Sequence, residues 1–154
     1  MSKNGTLMMI GGGIQEIKAI EIAKAAGFKV LVTDRDMKAP CFPYADYTAT
    51  FDGRDIEGLT AYVLLNKNKL NIVGVFTLTE LVTSVAAVAA ACDLPGVSLK
   101  SAVSCQNKQL SKQIWQQHSV PTPKGEVIYS AKEAKIFLHG VDGKAFIKPV
   151  VGFG

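Results

Sequence analysis

Between Leu7 and Asp34 the chain changes period twice, and this stretch limits the fold more than any other. Leu7-Met8-Met9-Ile10 is a continuous apolar run that ends at Gly11-Gly12-Gly13. Ile17, Ile20, Ala23 and Gly27 then recur at helical spacing, with Gly27 as a helix stop. Val30-Leu31-Val32-Thr33 is a second apolar run, ending at Asp34. An uninterrupted apolar strand is buried on both faces, which antiparallel sheets seldom require and parallel sheets do. Strand, helix and strand within about thirty residues form a βαβ unit, right-handed by steric preference.

The alternation continues. A short strand is expected at Tyr47–Phe51, a helix at Asp55–Asn66 with Asp55 as its cap, a strand at Ile72–Phe76, and an alanine-rich helix at Leu81–Cys92. This predicts an α/β domain, a doubly wound and mostly parallel sheet, running to about Val97. Beyond it the texture changes. Asn107–Gln117 reads as a polar helix, Val120-Pro121-Thr122-Pro123 as an extended break, and Gly125–Tyr129 as a strand. Ala131–Leu138 reads as a helix capped by Ser130 with Glu133 completing a capping box, and Ala145–Val151 as a strand. A strand, a helix and a strand cannot bury a core alone, so these elements read as the opening of a second domain.

Apolar residues at 48% and charged residues at 19% mark a globular chain. The formal charge of +4 comes from scattered lysines rather than a basic stripe, which argues against nucleic acid as a partner. Cys41, Cys92 and Cys105 show no metal-ligand spacing, and His118 and His139 stand apart, so no metal site is expected. Unpaired thiols fit a reducing compartment. The apolar stretch ahead of the first glycines is shorter than a signal peptide's core, and Leu81–Cys92 is too short to span a bilayer. The expected location is the cytoplasm, with no membrane partner.

Three places carry candidate chemistry. The turn Gly11-Gly12-Gly13-Ile14-Gln15-Glu16 has Gly-x-Gly between a strand and a helix, with Asp34 farther on. A nicotinamide dinucleotide, a turn that merely needs small residues, and an anionic or zwitterionic substrate at the carboxyl edge of the sheet all remain open readings. Glu16 stands where the dinucleotide fingerprint has its third glycine, and its charge opposes a pyrophosphate there. Thr77-Leu78-Thr79-Glu80 follows a strand and precedes a helix, so Glu80 falls on the same edge. Taken alone, a threonine cap with Glu80 in the helix's first turn accounts for this stretch better, and Glu80 gains interest from the other polar groups that converge on the rim. Lys148 interrupts an apolar run and precedes Gly152 and Gly154, whose amides suit a phosphate. It is not a P-loop, because the lysine comes before the glycines.

In this order the motifs resemble the amino-terminal part of an ATP-grasp ligase of the carbamoyl-phosphate-synthase-like or amino-acid-ligase branch. The residues that carry the resemblance are Gly11-Gly12-Gly13, Ile17-Lys18-Ala19-Ile20, Val32-Thr33-Asp34, Thr79-Glu80, Leu94-Pro95-Gly96, Asn107-Lys108, Val120-Pro121-Thr122-Pro123, Phe146-Ile147-Lys148-Pro149 and Gly152-Phe153-Gly154. The resemblance implies a Rossmann-like domain at 1–100 that helps to bind the substrate, and the start of an α+β nucleotide lobe at 101–154. It implies ATP contacts from Lys108, Lys148, Gly152 and Gly154, and substrate contacts from Gly12, Gly13, Glu16, Asp34 and Glu80. The implied partners are a small carboxylate and an amine, joined through an acyl phosphate at the expense of ATP with Mg2+. Asn107 stands where the family commonly has Asp. The adenine hinge and the metal ligands are not in this chain, so by this resemblance it is either an inactive fragment of a longer parent, the leading expectation, or a truncated relative that no longer catalyses. A nicotinamide-binding module and a non-catalytic interaction domain are the competing readings, and a homo-oligomer is left open.

Overall fold

Four strands form one sheet in the computed structural model, which describes residues 5–141 and 143–152. They are β1 (Thr6–Ile10), β2 (Lys29–Asp34), β3 (Tyr47–Thr50) and β4 (Ile72–Phe76), in the order β3-β2-β1-β4. Every neighbouring pair is parallel, with Ile10 opposite Thr33, Met9 opposite Phe76, and Asp34 opposite Thr50. The parallel α/β domain expected from the apolar runs is therefore present. Helices α1 (Ile17–Ala25), α2 (Ile56–Leu70) and α3 (Val82–Ala91) accompany the strands.

The twofold alternation of strand side chains sorts one apolar run into two cores. Met8, Ile10 and Leu31 pack with Leu59 and Val63 of α2 and Val85 and Val88 of α3. Met9, Val30 and Val32 pack with Ile20 and Ala23 of α1 and with Cys41. Both faces of β1 and β2 are covered, which is why these strands carry no polar alternation, whereas the edge strand β3 alternates half-buried and exposed residues. At roughly 25 cal/mol per Å² of apolar surface removed from water, these two layers are the main source of the sheet's stability.

Local signals end the helices where expected or close to it. Asp55 Oδ1 accepts from the Gly58 amide at 2.9 Å and caps α2. That helix runs to Leu70, past the expected Asn66, and stops where Asn71 turns left-handed at φ 49°. Gly27 ends α1 at φ 89°. The N-cap residue of α3 is Leu81, which makes no side-chain capping bond, so neither threonine is the cap itself, although Thr79 Oγ1 accepts from the Leu81 amide at 3.4 Å. Instead Thr77 Oγ1 donates to the Ile10 carbonyl at 2.7 Å and accepts from the Thr79 amide at 3.1 Å. The threonines stitch the β4–α3 loop to the end of β1.

The chain divides into two units, Met1–Ala102 and Val103–Gly154. Helix α4 (Leu99–Gln106), which the sequence reading did not expect, lies across that division; Ser98 Oγ accepts from the Ser101 amide in its first turn. The second unit holds α5 (Lys108–Gln117), capped by Asn107, and α6 (Ala131–His139), capped by Ser130. Glu133 Oε2 in turn accepts from the Tyr129 amide at 2.8 Å, one residue ahead of the usual capping-box partner. The expected strands at 125–129 and 145–151 are corrected: among the described residues both segments are irregular, apart from a single bridge between Asn107 and Val151. A strand exists only with a paired neighbour, and none is offered. No described residue from 103 onward is fully buried, and Phe146 and Ile147 are 95% and 78% exposed.

Candidate functional site

Strands β1, β2 and β3 succeed one another toward one edge, and β4 then joins the opposite side of β1. The winding thus reverses between β1 and β4, and open α/β sheets place ligands outside the carboxyl ends of the strands at such a point. An open cleft of about 210 Å³ lies there. Each of the four strands contributes the residues that follow it. Gly11, Gly12, Gly13 and Glu16 come after β1, Asp34 and Arg35 from the end of β2, Asp52 to Arg54 after β3, and Thr79 to Leu81 after β4.

The sequence-derived residues Gly12, Gly13, Glu16, Asp34 and Glu80 are all brought to this cleft. Their geometry separates their roles. Asp34 is committed to the backbone: Oδ2 accepts from the Gly12 amide and Oδ1 from the Asp36 amide, both at 2.8 Å. Gly12 is glycine for want of room, since a Cβ there would stand 3.1 Å from Val32 Cγ1 and 3.2 Å from Ala39 Cβ. Gly11 is glycine because φ is 98°. Gly13 leaves space for the Glu16 carboxylate, whose Oε2 would lie 2.6 Å from a Cβ at position 13.

Glu16 is only 8% exposed, and its carboxylate has no hydrogen-bond or ion-pair partner among the described residues; its oxygens keep contact with solvent, since no fully buried side-chain oxygen among those residues is unpaired. The nearest thiol is already spent, because Cys41 Sγ donates to the Gly13 carbonyl at 2.9 Å. Burial, with the Glu16 and Asp34 carboxylates behind it, pushes the Cys41 thiol up to about 11, so the thiol stays neutral beside the turn. Glu80 Oε1 faces Arg54 Nη2 at 3.7 Å across the rim, an exposed pair worth little by itself.

Arg35 and the Asp52–Arg54 segment were missed from sequence. The signal was available: in a parallel sheet the residues after every strand reach the same edge, so Phe51-Asp52-Gly53-Arg54 belonged with the glycine turn.

Within the second unit, Lys108 Nζ donates to the Gly152 carbonyl at 2.6 Å, and its amide donates to the Val150 carbonyl at 2.8 Å. Lys108 thus holds the segment leading into Gly152, which adopts φ 104° with open space beside it. Lys148 is exposed on the irregular segment, with no side-chain partner among the described residues. Gly154 lies outside the described residues. Among the described residues no cluster of His, Cys, Asp and Glu could hold a metal ion, and no helix is long and apolar enough to cross a membrane.

No protein-family model matches the chain, and no curated protein sequence matches it. Solved structures do share its fold. Phosphoribosylglycinamide synthetase from Anaerococcus prevotii superposes with a TM-score of 0.69 at 23% identity, over 89% of this chain and 35% of its own. L-amino acid ligase from Bacillus licheniformis gives 0.70 at 20%, over 92% and 43%. N5-carboxyaminoimidazole synthetase from Staphylococcus aureus, complexed with ADP, gives 0.72 at 18%, over 97% and 39%. These are ATP-grasp ligases, and the likeness is one of fold, to their amino-terminal part. The chain spans less than half the length of each.

Proposed function

We propose that this chain is the substrate-side domain and the beginning of the nucleotide lobe of a longer ATP-dependent ligase, one that joins a small carboxylate to an amine. The observation that carries this reading is the extent of the fold likeness. It covers 89–97% of the chain in these three structures, whereas the sheet-bearing unit ends at Ala102 of 154 residues. A dinucleotide-binding sheet alone would not call for the second unit. At Asp34 each carboxylate oxygen accepts one backbone amide, so the side chain serves the turn itself.

On this reading the cleft at the β1/β4 reversal receives a substrate, with Gly12, Gly13, Glu16, Asp34 and Glu80 as its walls. ATP is a co-substrate, met by Lys108, Lys148 and the loop at Gly152 and Gly154. Lysine supplies a compact positive charge for phosphate oxygens, and glycine at φ 104° lets the backbone approach them. The parent enzyme activates its carboxylate as an acyl phosphate, which the amine then opens. On this reading the residues that hold Mg2+ belong to the remainder of the parent. The working compartment proposed is the cytoplasm. The reading frame beyond Gly154 tests this account: it is expected to continue, with a Glu…Asn-type metal pair before its end. A stop codon directly after Gly154 would refute it.

A further inference from the structure

A carboxylate withdrawn from solvent is stable when something donates to it or neutralises it. Every acidic side chain in the cleft meets that requirement except one. Asp34 holds two amides, Asp52 Oδ1 accepts from the Arg54 amide at 2.8 Å, and Glu80 faces Arg54. Glu16, the most buried of them, has no hydrogen-bond or ion-pair partner among the described residues and meets only solvent. It does not serve as a helix cap either, since it precedes α1 without making a side-chain capping bond. It lines the cleft. The cleft as a whole carries four carboxylates against two guanidiniums, an excess of two negative charges.

We propose that the cleft recognises its ligand through a protonated amino group, an ammonium seated on the Glu16 carboxylate. The inference rests on the cleft being a substrate pocket, and it adds the chemical class of that substrate. An ammonium presents three donors and one positive charge, which meets both deficits at Glu16. A metal ion would need several ligands, and no cluster of that kind exists among the described residues. A phosphate ester or other anion at the glycine turn would face Glu16 at close range and the net negative rim beyond it. The glycine at position 13 has a part in this site: it provides the space into which the carboxylate folds back.

The test is 15N-labelled chain titrated at pH 6 and constant ionic strength, following the amides of Gly11, Gly12 and Gly13. The probes are L-alaninamide, propionamide as the same shape without the amine, and ribose 5-phosphate. L-alaninamide is expected to shift the three amides saturably, and propionamide and ribose 5-phosphate to leave them unmoved. Glu16→Gln keeps the shape of the side chain and is expected to weaken L-alaninamide about tenfold or more, as befits loss of a charge-assisted hydrogen bond. Gly13→Ala, which displaces only the flexible end of Glu16, should weaken it in the same direction while the rest of the spectrum stays in place. Equal binding to wild type and E16Q, or equal shifts from propionamide, overturns the proposal. Shifts from ribose 5-phosphate alone overturn it while leaving the cleft as a substrate pocket. Silence from all three probes overturns both.

Discussion

Removing the Asp34 carboxylate should loosen the glycine turn and with it the whole carboxyl edge of the sheet. The side chain holds two backbone amides at 2.8 Å, and the Gly12 amide belongs to a buried residue between β1 and the Cys41 loop. In Asp34→Ala the exposed Asp36 amide turns to water at little cost. The Gly12 amide cannot, and an orphaned buried donor costs about 1–3 kcal/mol. Loss of a charged rather than neutral acceptor places the expected loss at about 2–3 kcal/mol. With a urea slope of about 1–3 kcal/mol/M, the unfolding midpoint should fall by roughly 1 M or more at unchanged slope. Asp34→Asn retains one acceptor oxygen and should fall by about half as much. Far-UV circular dichroism suits the assay, because it follows the strands and helices of the sheet-bearing unit directly, whereas the single tryptophan, Trp115, belongs to the second unit. Glu16→Gln is the control: its carboxylate has no partner among the described residues to lose, so its midpoint should not fall. A loss below about 0.5 kcal/mol in Asp34→Ala, the range of an ordinary surface change, would refute the role given to Asp34.

Gly11→Ala should cost about 1–3 kcal/mol from backbone strain at φ 98°, since a Cβ there has room, with Thr79 Cγ2 no nearer than 3.5 Å. The same denaturation measurement checks it. Asp55→Ala removes the α2 cap and should cost about 1 kcal/mol, seen as faster hydrogen exchange in the first turn of that helix. Thiol labelling should rank the cysteines: Cys105 is exposed and reacts first, whereas buried Cys41 and Cys92 wait for opening. The pH dependence at Cys41 has a definite sign. Its thiol is held neutral in the fold while the unfolded chain ionises near 9, so this contribution to stability is full below about pH 9 and is lost as pH rises through about 11. Stability of Cys41→Ala should therefore fall less steeply than wild type across that interval.

The sheet was legible because its information is local and redundant. Continuous apolar runs, a glycine turn and helical spacing each point to β1-α1-β2, and the twofold alternation of Met8 against Met9 supplies both cores. Caps at Asp55 and Ser130 were legible for the same reason, each depending on a side chain and an amide three residues away. The segments 125–129 and 145–151 failed as strands because pairing is not a property of a segment. Tyr129 and Phe146 have the composition of a strand and, among the described residues, no ladder to join. At the cleft, spacing alone brought Glu16, Asp34 and Glu80 to one edge. It could not tell that Asp34 holds the backbone while Glu16 is left without a donor, because that division depends on distances of tenths of an ångström.

The central claim is ATP-dependent activation of a carboxylate by the protein to which this chain belongs, and hydroxylamine trapping tests it directly. The complete protein, given ATP, Mg2+ and a panel of small carboxylates, should form a hydroxamate together with stoichiometric ADP for at least one of them. Lys148→Met should lower that rate about a hundredfold or more, in keeping with loss of a phosphate-neutralising charge. A complete protein that binds no ATP, or that hydrolyses it without trapping any carboxylate across the panel, would contradict the account.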